Sequence, residues 1–100
     1  MNDDDVLAAL KAVIDPELGI NIVDLGLVYR AERIGEVVAV RMTMTTPSCP
    51  LGEMLLEEVR EALQQRFPHA AQVSVELVWD PPWSAELMSL AARHQLGVAS

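Results

Sequence analysis

Leu27-Val-Tyr-Arg-Ala-Glu-Arg-Ile34, then Gly35-Glu36, then Val37-Val-Ala-Val-Arg-Met-Thr-Met-Thr45 decide the fold of this chain. Two strand-forming runs flank a short connection that contains glycine, which is the pattern of a β-hairpin. In the second run Val38, Val40, Met42 and Met44 share one face, while Val37, Ala39, Arg41, Thr43 and Thr45 share the other. One face is apolar and has to pack against a second layer. Downstream, Leu51, Met54, Leu55, Val59, Ala62, Leu63 and Phe67 keep a helical period, with Glu53, Glu57, Glu58 and Glu61 turned to water. A helix over about 50–67 follows, closed by Pro68. From Ala71 to Asp80 the chain alternates, placing Val73, Val75, Leu77 and Trp79 on one side, so a third strand is expected with Trp79 in the core. Pro81-Pro82 ends it, and Ser84 is expected to cap a last helix carrying Leu87, Met88, Ala91 and Ala92, with Gly97 as its stop.

Upstream, Asp3, Asp4 and Asp5 suit a helix start, and Val6, Leu7, Leu10, Val13 and Ile14 form an apolar stripe. That helix must stop near Asp15, because Pro16 disfavours the helical region for the residue before it. The order α-β-β-α-β-α predicts an α+β two-layer sandwich, with a small three-stranded mixed sheet and helices packed on one face. At 100 residues the chain is expected to be a single domain, 1–100. With one Phe, one Tyr and two Trp in a 51% hydrophobic composition, its core has to be aliphatic.

Charge and cysteine count narrow the partners. A net charge of −8 repels phosphate backbones and anionic lipid, so neither nucleic acid nor a membrane surface is expected to bind. The acidic start is the wrong charge for a signal peptide, and no apolar run reaches the ~18–20 residues that span a bilayer, which predicts a soluble, cytoplasmic protein. There is no G-x-G-x-x-G or G-x-x-x-x-G-K, so no nucleotide is expected. The single Cys49 excludes an intramolecular disulfide and a multi-thiolate zinc cage.

Cys49 nonetheless stands where chemistry is favoured. If Pro50 takes the first position of the second helix, Cys49 is its N-cap. Unpaired N–H groups there stabilise a thiolate, the form that ligates metal and attacks electrophiles, and Gly52 lets a ligand approach the backbone. The competing reading is a buried, inert cysteine. Asp15, Glu17 and Asp24 sit with Asn21 in the long first connection. Each taken alone reads as a loop-stabilising carboxylate, but Asp24 lies between apolar Val23 and Leu25 and so needs a partner for an enclosed charge. Trp83 follows the rigid Asp80-Pro-Pro82 corner, as a lid over the core or as a pocket wall. His69 lies just past the far end of the second helix, about 25 Å from its start at ~1.5 Å per residue, which is poor geometry for a dyad with Cys49. His94 stays open as an alternative base, and for each histidine a surface position is the preferred reading.

Taken together, Asp15-Pro-Glu-Leu-Gly-Ile-Asn-Ile-Val-Asp-Leu-Gly-Leu-Val-Tyr29, Thr45-Thr-Pro-Ser-Cys-Pro50, Val78-Trp-Asp-Pro-Pro-Trp83, Met88-Ser89 and Leu96-Gly97 resemble the SufT- and PaaD-like metal-sulfur cluster assembly family in spacing and order. The resemblance implies an accessory factor in iron-sulfur cluster assembly, or in cluster delivery to recipient apoproteins. It implies a functional thiol at Cys49, a supporting acid at Asp24, and Thr45, Thr46 and Trp83 beside them. The implied cargo is a transient iron-sulfur cluster or iron. Because such a cluster normally takes four cysteine ligands, one thiol per chain makes a homodimer, an exogenous thiol or a partner's cysteines a mechanistic expectation. Two other readings stand beside this one: a cysteine-dependent enzyme using Cys49 with Asp24, and an interaction module in which Trp83 and the acidic surface bind a partner.

Overall fold

The structure is a computed structural model and describes residues 3–16, 18–45 and 52–97. Its elements run α1 (Asp4–Leu10), β1 (Val28–Ile34), β2 (Val37–Met42), α2 (Gly52–Arg66), β3 (Gln72–Leu77) and α3 (Leu90–Gln95), with one turn of 3₁₀ helix at Ala85–Leu87 before α3. The fold is α+β, with a sheet in the order β1-β2-β3. β1 and β2 form the expected antiparallel hairpin, turning at Gly35 with φ of 58°. β3 returns through α2 and pairs parallel to β2, as a strand-helix-strand crossover allows.

Val38, Val40 and Met42 line the buried face with Ala31 of β1, and α1 and α2 close over them through Val6, Leu10, Leu55, Val59 and Leu63. The opposite face is wet and carries the ion pairs Arg30–Glu32 at 2.9 Å and Arg41–Glu76 at 3.6 Å. Asp3 starts α1: its carboxylate accepts from the backbone of Asp5 and Val6, and its own N–H donates to Ala31 O at 2.7 Å, which ties the helix to the outer edge of β1.

Four details depart from the sequence expectation. α1 ends at Leu10, because Ala12 and Val13 close the helix with short-range bonds to Ala9 and Leu10. Val13 then reaches the core from a loop that folds back on itself, where Ile22 N donates to Val13 O and Ile14 bridges Asn21. The cap of the last helix is Ser89, not Ser84: Ser84 makes no side-chain cap bond, Met88 is extended, and Ser89 Oγ accepts from Ala92 N at 3.1 Å. Trp79 is 44% exposed rather than core, since β3 stops at Leu77 and the alternation runs on past the last paired residue. Thr43 is wholly buried although alternation puts it on the wet face.

Candidate functional site

Sheet direction brings the sequence motifs to one end of the molecule. β1 enters where β2 and β3 leave, because the first pair is antiparallel and the second parallel. Thr43 N donates to Leu27 O on one side of β2, and Val78 N donates to Met42 O on the other. The Asp24-Leu-Gly26 turn, the exit of β2 and the Trp79–Trp83 corner therefore lie together. Thr45 is the last described residue of that exit and is half-buried. Thr46, Cys49, Pro50 and Glu17 lie outside the described residues, so the cap placement of Cys49 and its relation to Asp24 are carried by sequence alone.

Asp24 is half-buried and has the partner its setting demands. Asn21 Nδ2 donates to Asp24 Oδ2 at 2.6 Å, and Asp24 N donates to Asn21 Oδ1 at 2.9 Å. This reciprocal clamp closes the turn, and the Asn-x-x-Asp spacing is the signal from which it could have been read. Buried Ile20, Ile22, Leu25 and Leu27 plug the same connection into the core, which explains why it is longer than a spacer needs to be. Asp15 belongs to this loop as well. It is buried, its Oδ1 accepts from Leu18 N at 3.2 Å, and its main-chain O accepts from Gly19 N at 2.8 Å.

The segment from Val78 to Ser89 is strapped across this end. Trp83 Nε1 donates to Leu25 O at 2.7 Å, and Ser89 N donates to Asp24 O at 2.8 Å. At Gly26, φ is +77°, and an added Cβ would lie 2.6 Å from the Leu87 carbonyl carbon. Trp83 is thus an anchor that fixes the Asp24 turn, half-buried with its polar end satisfied. Tyr29 completes the strap. It is the extra residue of a β-bulge between Val28 and Arg30, and its hydroxyl donates to Pro81 O at 2.7 Å. Beside it opens an apolar groove lined by Leu7, Val23, Gly26, Val28, Tyr29, Pro81 and Leu87, about 550 Å³ in volume.

His69 lies at the other end of the sheet, in a cavity of about 320 Å³ with Arg33, Arg66 and Phe67, next to the β1–β2 turn. It is separated from Asp24 by the length of a strand, six residues or ~20 Å at 3.3 Å per residue. His94 is exposed on α3. Neither hydrogen-bonds Asp24 among the described residues, and among those residues no three His, Cys, Asp or Glu side chains converge as a metal cage. No described helix is long and apolar enough to cross a membrane.

The sequence profile of the family described as "Iron-sulfur cluster assembly protein" matches residues 3–77. The chain is 44% identical over 88 residues to the Fe-S protein maturation auxiliary factor SufT of Staphylococcus aureus, covering 87% of this chain and 99% of that one. It is 38% identical over 96 residues to the Fe-S protein maturation auxiliary factor YitW of Bacillus subtilis, covering 95% and 93%. Among solved structures, a domain of unknown function, DUF59, from Bacillus anthracis superposes with a TM-score of 0.90 at 41% identity, covering 95% of this chain and 91% of that one.

Proposed function

The chain belongs to the iron-sulfur cluster assembly protein family, and from that premise we propose that it is an accessory factor in iron-sulfur protein maturation, acting through Cys49 as a single folded domain. The observation that carries the reading is near full-length similarity to two maturation auxiliary factors. The geometry supports it. The topology gathers the Asp24 turn, Thr45 and the Trp83 corner around the exit of β2, four residues before Cys49 in sequence. The cargo is iron or an iron-sulfur cluster, held for a time by the Cys49 thiolate, with Thr45, Thr46 and Trp83 beside it and Asp24 keeping the neighbouring turn closed. One thiolate supplies one of about four ligands, so the remaining ligands come from a second copy, a small thiol or the recipient. Partners are therefore the assembly machinery and recipient apoproteins, in a reducing compartment such as the cytoplasm. A cysteine-dependent hydrolase or transferase is the weaker reading, because His69 lies at the far end of the sheet from Asp24 and His94 makes no hydrogen bond to it among the described residues.

Anaerobic reconstitution with iron and sulfide, followed by mixing with a recipient apoprotein, tests this. Wild type is expected to accelerate recovery of the recipient's cluster, and Cys49→Ser is expected to lose that acceleration. Equal stimulation by both proteins would remove Cys49 from the mechanism, and none from either would remove the function.

A further inference from the structure

The two edges of the sheet are finished differently. The outer edge of β1 carries a bulge at Tyr29, the charged side chains Arg30, Glu32 and Arg33, and Asp3, whose N–H donates to Ala31 O at 2.7 Å. Bulges, charges and a covering segment are the devices by which natural sheets keep an edge from pairing. β3 is barely guarded. Its register with β2 runs unbroken from Gln72 to Leu77, without proline, glycine or a basic residue, and Glu76 is its single charge.

The bonds at its two ends fix which way its backbone groups point. Gln72 N donates to Glu36 O and Val78 N donates to Met42 O, so the even-numbered residues face β2, and Val73, Val75 and Leu77 turn their N–H and C=O groups outward. Among the described residues no backbone bond meets those outward groups. The side chains of the same three residues are half-buried against the core and end the apolar layer at this edge.

We propose that the outer edge of β3 pairs with the same edge of a second copy, antiparallel about a two-fold axis at Val75. The register is self-complementary. Val75 meets Val75 of the second copy and Val73 meets its Leu77, so all three outward residues exchange backbone bonds in each copy. The apolar rows join, and Trp79, 44% exposed, comes opposite the second copy's exposed Ala71. Glu76 stands opposite Ser74, so the two carboxylates are not opposed. Glu58 and Glu61 line a cavity with Ala12, Val13 and Ile14 on the α1 side of α2, which turns two of that helix's four glutamates away from the joint. A joint between six-residue edges is small, so the pair is weak and forms with rising concentration. It needs no metal. The axis sets the two Asp24 turns at opposite ends of the joined sheet, so the contact is independent of the carrier function and of any sharing of cargo between copies.

Sedimentation equilibrium and amide exchange on the metal-free, reduced protein test this. From about 10 µM to about 1 mM the mean mass is expected to climb from 11.0 kDa towards twice that value. The amides of Val73, Val75 and Leu77 are expected to gain protection over the same range, while those of Ser74 and Glu76, already turned to β2, change little. Ser74→Lys sets a cation opposite the second copy's Glu76 and is expected to tighten the pair by roughly 2- to 30-fold, and Ser74→Glu to loosen it by as much, because the axis repeats the contact. Gln65→Lys and Gln65→Glu change net charge equally on the α1 side of α2 and are expected to move the Kd by less than about 2-fold. A constant 11.0 kDa at about 1 mM, association without protection of the three outward amides, or equal responses at positions 65 and 74 would each overturn the proposal. Protection that appears only when a recipient apoprotein is added would overturn it too, and would assign the edge to a partner's strand.

Discussion

Gly26 shows how much of this site depends on single atoms. Its φ of +77° is strained for any L side chain, and a methyl group there would collide with the backbone and Cβ of Leu87. Gly26→Ala is therefore expected to destabilise by roughly 2–4 kcal/mol, combining the φ penalty with displacement of the strap. Urea unfolding checks it, with a lower midpoint and an unchanged slope. A shift no larger than that of Gly19→Ala, where φ is +69° but nothing lies within 4 Å, would show that the Leu87 contact is immaterial. Not all of this scale was legible beforehand. Val23 and Leu25 foretold an enclosed Asp24 in need of a partner, and Asn21 is that partner. Alternation puts Thr43 on the wet face, but a two-residue period describes the paired residues of a strand, and Thr43 lies one residue past Met42, the last residue of β2. Trp79 failed for the same reason, since its alternation continues beyond the hydrogen bonds that give alternation its meaning.

Elements were read more securely than their ends. The hairpin, α2 and β3 follow from hydrophobic period, and they alone impose a mixed sheet covered by helices. Ends depend on competition for backbone groups. Ser84 and Ser89 are equally good caps by residue type, and the choice is made by tertiary structure: Ser89 N is already bonded to Asp24 O, which fixes the extended backbone from which its hydroxyl reaches Ala92 N. Ser89→Ala is accordingly expected to cost about 1 kcal/mol, whereas Ser84→Ala is expected to fall within about 0.5 kcal/mol of wild type. Because α3 has only six residues, amide hydrogen exchange is the sharper readout. Protection is expected to fall across Leu90–Gln95 in Ser89→Ala alone, and equal losses in both variants would refute the assignment of the cap.

For the whole molecule the controlling number is one cysteine in 100 residues. Counted alone it argues against metal chemistry. It reads differently once the topology delivers the exit of β2, as far as Thr45, to the end where the Asp24 turn and the Trp83 corner meet. A chain that contributes one thiolate must complete its ligand set from outside, and the two sources within a purified system are a second copy and a small thiol. The second copy has to overcome repulsion between two chains of net charge −8, which is screened over about 10 Å at 0.1 M salt. Loading with iron and sulfide in the absence of added thiol is thus expected to convert an 11.0 kDa species into one of twice that mass, more completely at higher salt, and to do so in wild type but not in Cys49→Ser. Native mass spectrometry under anaerobic conditions measures both mass and bound metal. Cluster bound to a single chain without added thiol would overturn the shared-site reading, and would require ligands from oxygen or nitrogen side chains. A loaded pair that reverts to single chains on addition of glutathione, keeping its metal, would show that the second copy stands in for a small thiol.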